Sequence, residues 1–220
     1  MNKITLNLLR FIIDQGYQPG DRLPSLNELS TGLGVNIGKV REEMAVARNL
    51  GLVEVKPRAG TRLAPYNFAP AVRLSLLFGL GLDRSAFEHF RKLRTNIEAS
   101  FWHEGASLLA DEDKAHLRAL MQSACSKLST PAVEIPHPEH RDLHMTIFRR
   151  LNNPFVRGIQ EAYWDAYEAI ELNRYADYQY WKEVWNYHQQ IVDNLCSGDI
   201  EAARKAFIAH IELLPQHFGP

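Results

Sequence analysis

Two histidines in the C-terminal half of the chain are spaced so that both can bind one metal ion. His140 and His144 are four residues apart, and this spacing places both side chains on the same face of a helix. Zinc proteases use the same spacing, but they need a glutamate directly after the first histidine to activate water. Arg141 occupies that position here. The pair therefore indicates metal binding and argues against a protease.

Two further histidines, His188 and His210, lie on the last two predicted helices. A single histidine on a helix is more often a surface or core residue than a metal ligand. Spacing alone therefore assigns no role to either of them. All nine histidines of the chain lie after residue 66, which separates a histidine-rich part from a part without histidine.

The same division appears in the charge. Residues 1–66 contain nine Lys/Arg and six Asp/Glu, a net charge of +3, whereas the rest of the chain carries −4. A charge of +3 is weak evidence for nucleic-acid binding unless a motif accompanies it. The 220 residues, 45% apolar and 23% charged, are typical of a globular protein, and we expect two domains.

Composition also excludes several classes of protein. Cys125 and Cys196 are the two cysteines, too few for a disulfide-stapled secreted domain and without the spacing of a thiolate metal site. The longest apolar run after the first helix, Leu74 to Leu82, is shorter than the roughly 20 residues that a membrane helix needs. The N-terminus has no signal-peptide pattern. We therefore expect a cytoplasmic protein that does not enter a membrane.

Three short helices and a hairpin are predicted in the first 66 residues. The first helix ends at Gly16, and the second begins after a Pro-Gly turn at a capping box formed by Ser25 and Glu28. Asn36 is a predicted N-cap for the third helix, which runs to about Leu50. Two short helices joined by a glycine-containing turn are a helix-turn-helix, whose second helix enters the DNA major groove.

The predicted hairpin has the character of a wing. Its strands cover residues 52–56 and 61–63, and the turn between them is Pro57-Arg-Ala-Gly60. A cation on such a loop can neutralise phosphate, and a glycine lets the backbone approach a groove closely. The loop and its flank supply Arg58, Gly60 and Arg62.

The run from Pro19 to Thr61, PGDRLPSLNELSTGLGVNIGKVREEMAVARNLGLVEVKPRAGT, closely resembles the DNA-binding domain of the GntR family of bacterial regulators. Ile37 departs from the family pattern, which usually has arginine or another polar residue there; an apolar side chain cannot hydrogen-bond a guanine edge but can touch a thymine methyl. An unusual operator preference would follow. By position, the resemblance implies DNA contacts from Asn27, Asn36, Gly38, Lys39, Arg41, Arg58 and Gly60.

Residues 67–220 contain almost no strand signal. Punctuation by glycine, proline, aspartate and asparagine predicts helices at about 70–80, 84–104, 111–128, 137–152, 154–175, 177–196 and 199–214. Connections this short favour antiparallel neighbours. The expected fold is mainly α, with a winged helix-turn-helix domain at 1–66 and an antiparallel all-α bundle at 67–220.

The bundle is similar to the FCD ligand domain of the FadR subfamily. The matching features are the pair in HRDLH, the sequence LNNP that ends at Pro154, the Gly198-Asp199 pair and the last two helical histidines. In that domain one Asp and three His bind a divalent metal, and His140 stands where the Asp is usual. The resemblance implies a site made of His140, His144, His188 and His210. An all-nitrogen set favours zinc, nickel or copper over manganese or magnesium.

The same resemblance implies a small carboxylate effector that completes the metal coordination and is held by Arg94. A guanidinium suits a planar carboxylate because it can donate two parallel hydrogen bonds. Alternatively, Arg94 pairs with Glu98 one turn along the helix, and the residues do not decide between the two. An aromatic set later in the chain is more typical of core packing than of a pocket, with the alternative that part of it lines the ligand cavity. It comprises Tyr163, Trp164, Tyr167 and Trp181.

Our main hypothesis is a homodimeric repressor or activator, with a repressor as the working choice. It binds a two-fold double-stranded DNA operator and responds to an organic acid bound beside a divalent metal, zinc or nickel in the first instance. Dimerism follows from operator geometry and the family. The alternative is a metal-dependent hydrolase with an accessory N-terminal domain. In a third reading the histidines are structural and no small molecule binds.

Overall fold

The structure is a computed structural model that describes residues 3–56, 60–129, 134–170 and 178–213. Its first part is the winged helix-turn-helix that the sequence predicts, and this part of the fold prediction is confirmed. The elements are α1 (Asn7–Asp14), α2 (Leu26–Leu33), α3 (Ile37–Asn49), β1 (Val53–Lys56) and β2 (Gly60–Leu63).

Local hydrogen bonds set the ends of the helix-turn-helix as the sequence indicates. The Ser25 hydroxyl accepts from the Glu28 backbone N–H at 3.3 Å, and the Glu28 carboxylate accepts from the Ser25 N–H at 2.7 Å. Gly34 ends α2 in the left-handed region, with φ of 65°, which a side chain would disfavour. Asn36 Oδ1 accepts from the Lys39 N–H at 2.8 Å and begins α3. These caps fix the turn between the two helices.

The wing is an antiparallel pair in which Val53 lies opposite Leu63 and Lys56 lies opposite Gly60. A side-chain bond joins it to the turn before α2, because the Arg62 guanidinium donates to the Gly20 carbonyl at 2.7 Å. Arg62 therefore has a structural contact in addition to its charge. The core beneath the helices and the wing consists of Leu8, Ile12, Leu23, Leu29, Val40, Met44, Ala47 and Val53.

A buried carboxylate joins α1 to α3. Glu43 accepts from the backbone N–H of Leu8 at 2.7 Å and from the Asn7 amide at 3.1 Å. Leu6, the residue that precedes α1, provides no side-chain cap. Glu43 therefore satisfies an N-terminal N–H of α1 that would otherwise be buried without an acceptor.

We expect Glu43→Ala to lower the free energy of unfolding by about 1–3 kcal/mol, because it leaves that N–H without an acceptor. Urea denaturation followed by circular dichroism measures the change. Glu42→Ala is the matched control, since its side chain is 73% exposed on the same helix. Equal urea midpoints for the two variants would contradict this role of Glu43.

The remaining described elements are all helices, which confirms the all-α prediction for the C-terminal part. They are α4 (Ala69–Leu82), α5 (Ala86–Ser100), α6 (Trp102–Ser107), α7 (Asp111–Leu128), α8 (His137–Ile147), α9 (Pro154–Ala169), α10 (Tyr178–Ser197) and α11 (Ile200–Ile211). The predicted segment 84–104 is two helices, because Phe101, with φ of −93° and ψ of 8°, ends α5 and precedes α6. α8 ends at Ile147, five residues before the predicted end.

The chain divides into two compact units between Leu74 and Ser75, within α4. The predicted boundary after residue 66 stays a prediction. None of the helices in the described ranges is both long enough and apolar enough to span a membrane.

The helices of the second unit pack around two buried clusters. α10 lies against α7 and α11, α8 lies between α7 and α9, and α5 packs on α9. Asp113 near the start of α7 accepts from the Ala110 N–H at 2.9 Å and pairs with Arg149 at 3.2 Å and with Arg150. These arginines directly follow α8, so the pairs hold its C-terminal end against α7.

Candidate functional site

Four histidines from three helices meet in the interior of the second unit. His140 and His144 lie one turn apart on α8, His188 lies on α10, and His210 lies on α11. All four side chains are buried, and each offers a ring nitrogen within 4.8 Å of the nitrogens offered by the others. The distance between ring centres is smallest for His188 and His210, at 4.4 Å.

The Nδ1 nitrogens of this cluster lack the hydrogen bonds that buried polar atoms normally make. His188 Nε2 and His144 Nε2 face each other at 3.4 Å. The Nδ1 atoms of all four rings have no hydrogen-bond partner within the described part of the chain. Buried polar atoms without partners are rare and call for an explanation. A divalent cation bound by four imidazoles provides one, so the donor set fits a metal ion.

Electrostatics keep these rings neutral. Burial, followed by the charge that neighbouring imidazoles would carry, holds the pKa values of His140 and His188 well below the ordinary value of 6.5. Burial and then His144 do the same to the pKa of His210, and burial and then Arg94 lower the pKa of His144. Neutral imidazole has the free lone pair that a metal requires.

Arg94 and Glu98 on α5 form a buried pair beside the histidines. Arg94 Nε lies 2.8 Å from Glu98 Oε1, and the Gln160 amide of α9 donates to the same oxygen at 2.8 Å. Glu98 Oε2 lies 3.6 Å from His144 Nδ1. Burial raises the pKa of Glu98, but Arg94 and His144 lower it by more, so it stays below the ordinary value. The carboxylate is therefore charged.

The pairing of Arg94 with Glu98, the alternative to effector binding, is thus present. It leaves part of the guanidinium unused. Arg94 Nε is engaged in the ion pair with Glu98, whereas Nη2 makes no hydrogen bond to any described residue. The guanidinium carbon lies 4.6 Å from the centre of the Tyr163 ring, an arrangement that stabilises the cation. Arg94 is consequently a buried cation with an unpaired Nη2 group next to four histidines.

Aromatic rings enclose the cluster. Tyr163, Trp164, Tyr167 and Trp181 are all buried, as core packing requires, yet Trp164 also contacts the His140 ring edge-on at 4.8 Å between centres. Trp185, which sequence reasoning did not single out, contacts His188 at 4.8 Å. Trp185 lies three residues before His188, a spacing that places both on one face of a helix, and this could have identified it from the sequence. The indole N–H groups of three of these tryptophans have no acceptor among the described residues: Trp164, Trp181 and Trp185.

The DNA-contact candidates lie on the winged helix-turn-helix. Asn27 on α2 and Asn36, Gly38, Lys39 and Arg41 at the start of α3 are exposed. Lys39 is 3.6 Å from Glu42, and Ile37 is partly buried.

In the wing, Gly60 has φ of 81°, and a Cβ there would lie 3.1 Å from Arg22 Nε. A side chain is disfavoured at this position by both the backbone and the space. Arg58 lies outside the described residues. The assignment of all these residues to DNA contacts stays a prediction.

Two family models match the chain. The one described as "Bacterial regulatory proteins, gntR family" matches residues 2–63. The one described as "FCD domain" matches residues 90–213, more than half of the sequence. The first covers the helix-turn-helix and the wing, and the second contains all four histidines together with Arg94 and Glu98.

Relatives agree with these matches. The uncharacterized HTH-type transcriptional regulator YieP of Escherichia coli K12 is 27% identical over 202 residues, 90% of this chain and 86% of that protein. The HTH-type transcriptional repressor NanR of Enterobacter sp. strain 638 is 25% identical over 210 residues, 93% of this chain and 79% of that protein. The structure of Streptococcus agalactiae GntR has the same fold, with a TM-score of 0.66, 18% identity and 95% of each chain covered.

The hydrolase alternative has no support, because the matching families and relatives are transcription regulators. The chain belongs to the GntR family of bacterial regulators and is a DNA-binding transcription regulator with a C-terminal FCD domain.

Proposed function

We propose that the protein is a homodimeric repressor that binds a two-fold operator and responds to a small organic acid bound beside a divalent metal in its FCD domain. The observation that carries this proposal is a cluster of four buried, neutral histidines next to a buried arginine whose Nη2 group is unpaired. The family match supports a regulator, and the cluster supports a sensor.

In this proposal His140, His144, His188 and His210 hold the metal through four neutral nitrogens. Such a set favours zinc or nickel, with copper as a further choice, over the oxygen-preferring manganese and magnesium. The bound ion would supply a Lewis-acid centre for an effector oxygen. The surrounding tryptophan rings keep water away from the histidines.

The effector is an acid because the polar groups around the histidines are mostly donors. The Nη2 group of Arg94 is unpaired, and three indole N–H groups nearby have no acceptor among the described residues. A ligand that supplies acceptor oxygens would satisfy them, whereas an amine would add more donors. Arg94 can bind a carboxylate through two parallel hydrogen bonds.

In the proposed complex of the winged helix-turn-helix domain with the operator, the start of α3 lies in the major groove, and the wing lies against the phosphate backbone. Because an operator of two related half-sites matches a two-fold dimer, we propose that two copies of the chain bind together. NanR, one of the relatives, is named a repressor, and we propose that this protein also represses transcription. The predicted contacts are Asn27, Asn36, Gly38, Lys39, Arg41, Arg58 and Gly60.

The first experiment identifies the operator and then the effector. Genomic fragments that the purified protein retains give the operator, and its mobility shift is repeated with zinc and a panel of organic acids. One acid is expected to change the operator Kd by about 5–150-fold, a usual range for coupling between two sites. The direction shows whether the effector releases the DNA.

The matched variants are Arg94→Lys and Arg118→Met. Arg94→Lys keeps the positive charge next to Glu98 but loses the planar guanidinium, which can donate two parallel hydrogen bonds to a carboxylate. The response to the acid should therefore weaken. Arg118→Met changes an exposed arginine on α7 and should respond like the wild type. An unchanged response in Arg94→Lys would argue against Arg94 as the effector ligand.

A further inference from the structure

Glu98 is a buried carboxylate that touches the histidine cluster but is not one of the four histidines. Its side chain is fully buried, and its two oxygens have different surroundings. Oε1 accepts from Gln160 and lies beside Arg94, whereas Oε2 has no hydrogen-bond partner in the described ranges and lies 3.6 Å from His144 Nδ1. The unpartnered oxygen is therefore the one nearest the histidine.

The two nitrogens of His144 point to different groups. Nε2 lies 3.4 Å from His188 Nε2, inside the cluster, whereas Nδ1 faces Glu98 and has no hydrogen-bond partner. An approach of about 0.5 Å would bring Nδ1 and Oε2 into the hydrogen-bond range. A carboxylate that accepts from one ring nitrogen fixes the tautomer and leaves the other nitrogen free to bind a metal.

Charge gives Glu98 a second role. Four neutral imidazoles contribute no negative charge, so a divalent ion next to Arg94 would be a concentration of buried positive charge. The carboxylates of α8, the helix that carries His140 and His144, are placed elsewhere: Glu139 accepts from Ser123 and Lys127, and Asp142 is exposed. Glu98 lies between Arg94 and His144 and can compensate both the arginine and the ion.

We infer that Glu98 is the positioning residue of the metal site: it accepts the Nδ1–H of His144, directs Nε2 to the metal, and supplies the negative charge that the four histidines lack. The inference rests on the metal-binding part of the proposed function. The competing explanation is that Glu98 serves Arg94 alone.

Two substitutions distinguish these explanations, with zinc affinity measured by competition with a chromophoric chelator. Glu98→Gln keeps the shape of the side chain but removes its charge, and we expect zinc to bind about 10–100-fold more weakly, the usual effect of an outer-shell partner. Arg94→Gln removes a positive charge and should tighten zinc binding. Glu88→Gln, a partly exposed carboxylate on the same helix that pairs with Arg91, is the matched control and should bind zinc like the wild type.

Glu98→Gln leaves Arg94 buried without a counter-charge and can fail to fold, so the double variant Arg94→Gln/Glu98→Gln provides a neutral pair. It should bind zinc about 10–100-fold more weakly than Arg94→Gln alone. Equal zinc affinity in these two proteins would overturn the inference, because Glu98 would then act only on Arg94. If the wild type binds no zinc, nickel or copper, the metal site itself fails.

Histidine ring spectra of the zinc-loaded wild type test the same geometry without any substitution. Long-range ¹H–¹⁵N correlations identify the protonated nitrogen of each imidazole. We expect His144 to carry its proton on Nδ1 and to bind zinc through Nε2. Zinc on Nδ1 of His144 would overturn the proposed role of Glu98 while leaving the metal site intact.

Discussion

Replacing His188 by alanine is expected to weaken zinc binding by more than about 100-fold, because loss of an outer-shell partner alone costs about 10–100-fold. His188 is fully buried, its ring centre lies 4.4 Å from that of His210 and 4.8 Å from that of His140, and its Nε2 faces His144. It therefore contacts every other member of the cluster. The remaining three imidazoles would hold the ion with one protein ligand fewer.

The measurement is thermal unfolding with and without zinc. A ligand at 100 times its Kd stabilises the folded state by about 2.7 kcal/mol, so zinc should raise the Tm of the wild type and raise that of His188→Ala much less. His116→Ala, on an exposed histidine of α7, should keep the full increase. Comparing the metal-free proteins separates lost zinc binding from lost packing. Equal zinc-induced increases in the wild type and His188→Ala would show that the cluster is structural.

The second large effect is expected at the DNA-binding surface. Arg41 is exposed one turn into α3, and an arginine that contacts a base edge contributes about 1–3 kcal/mol of binding free energy. In the proposed homodimer both DNA-binding domains carry the substitution, so Arg41→Ala should cost about 2–6 kcal/mol, a loss of operator affinity of about 30-fold or more. The mobility shift with the selected operator would nearly disappear.

Arg48→Ala is the matched control, because Arg48 is an exposed arginine in the last turn of the same helix. Its removal takes away the same formal charge and should cost much less affinity. Circular dichroism shows whether both variants remain folded. If Arg41→Ala shifts the operator as strongly as the wild type does, α3 contacts the operator through other residues. The family resemblance would then have assigned the DNA contact to Arg41 incorrectly.

The start of each DNA-binding helix could be predicted from the sequence because its cause is local. The capping box of Ser25 and Glu28 and the N-cap at Asn36 depend on hydrogen bonds between residues three positions apart. The ends of the helices predicted at 84–104 and 137–152 were harder to predict from the sequence. The break at Phe101 and the end of α8 at Ile147 have no strong glycine or proline signal, so tertiary packing decides them.

The sequence by itself determined the family, the winged helix-turn-helix, the all-helical second part and the spacing of His140 and His144 on one face of a helix. These depend on short-range hydrogen bonds and on helical periodicity. The family resemblance implied the set of four histidines, whereas the local pattern did not, because His188 and His210 meet the pair on α8 through tertiary packing. Only the tertiary structure placed Glu98 beside His144. It also decided the charge of the four histidines, since burial lowers the pKa of each histidine, and burial is a property of the packed bundle that no local pattern encodes.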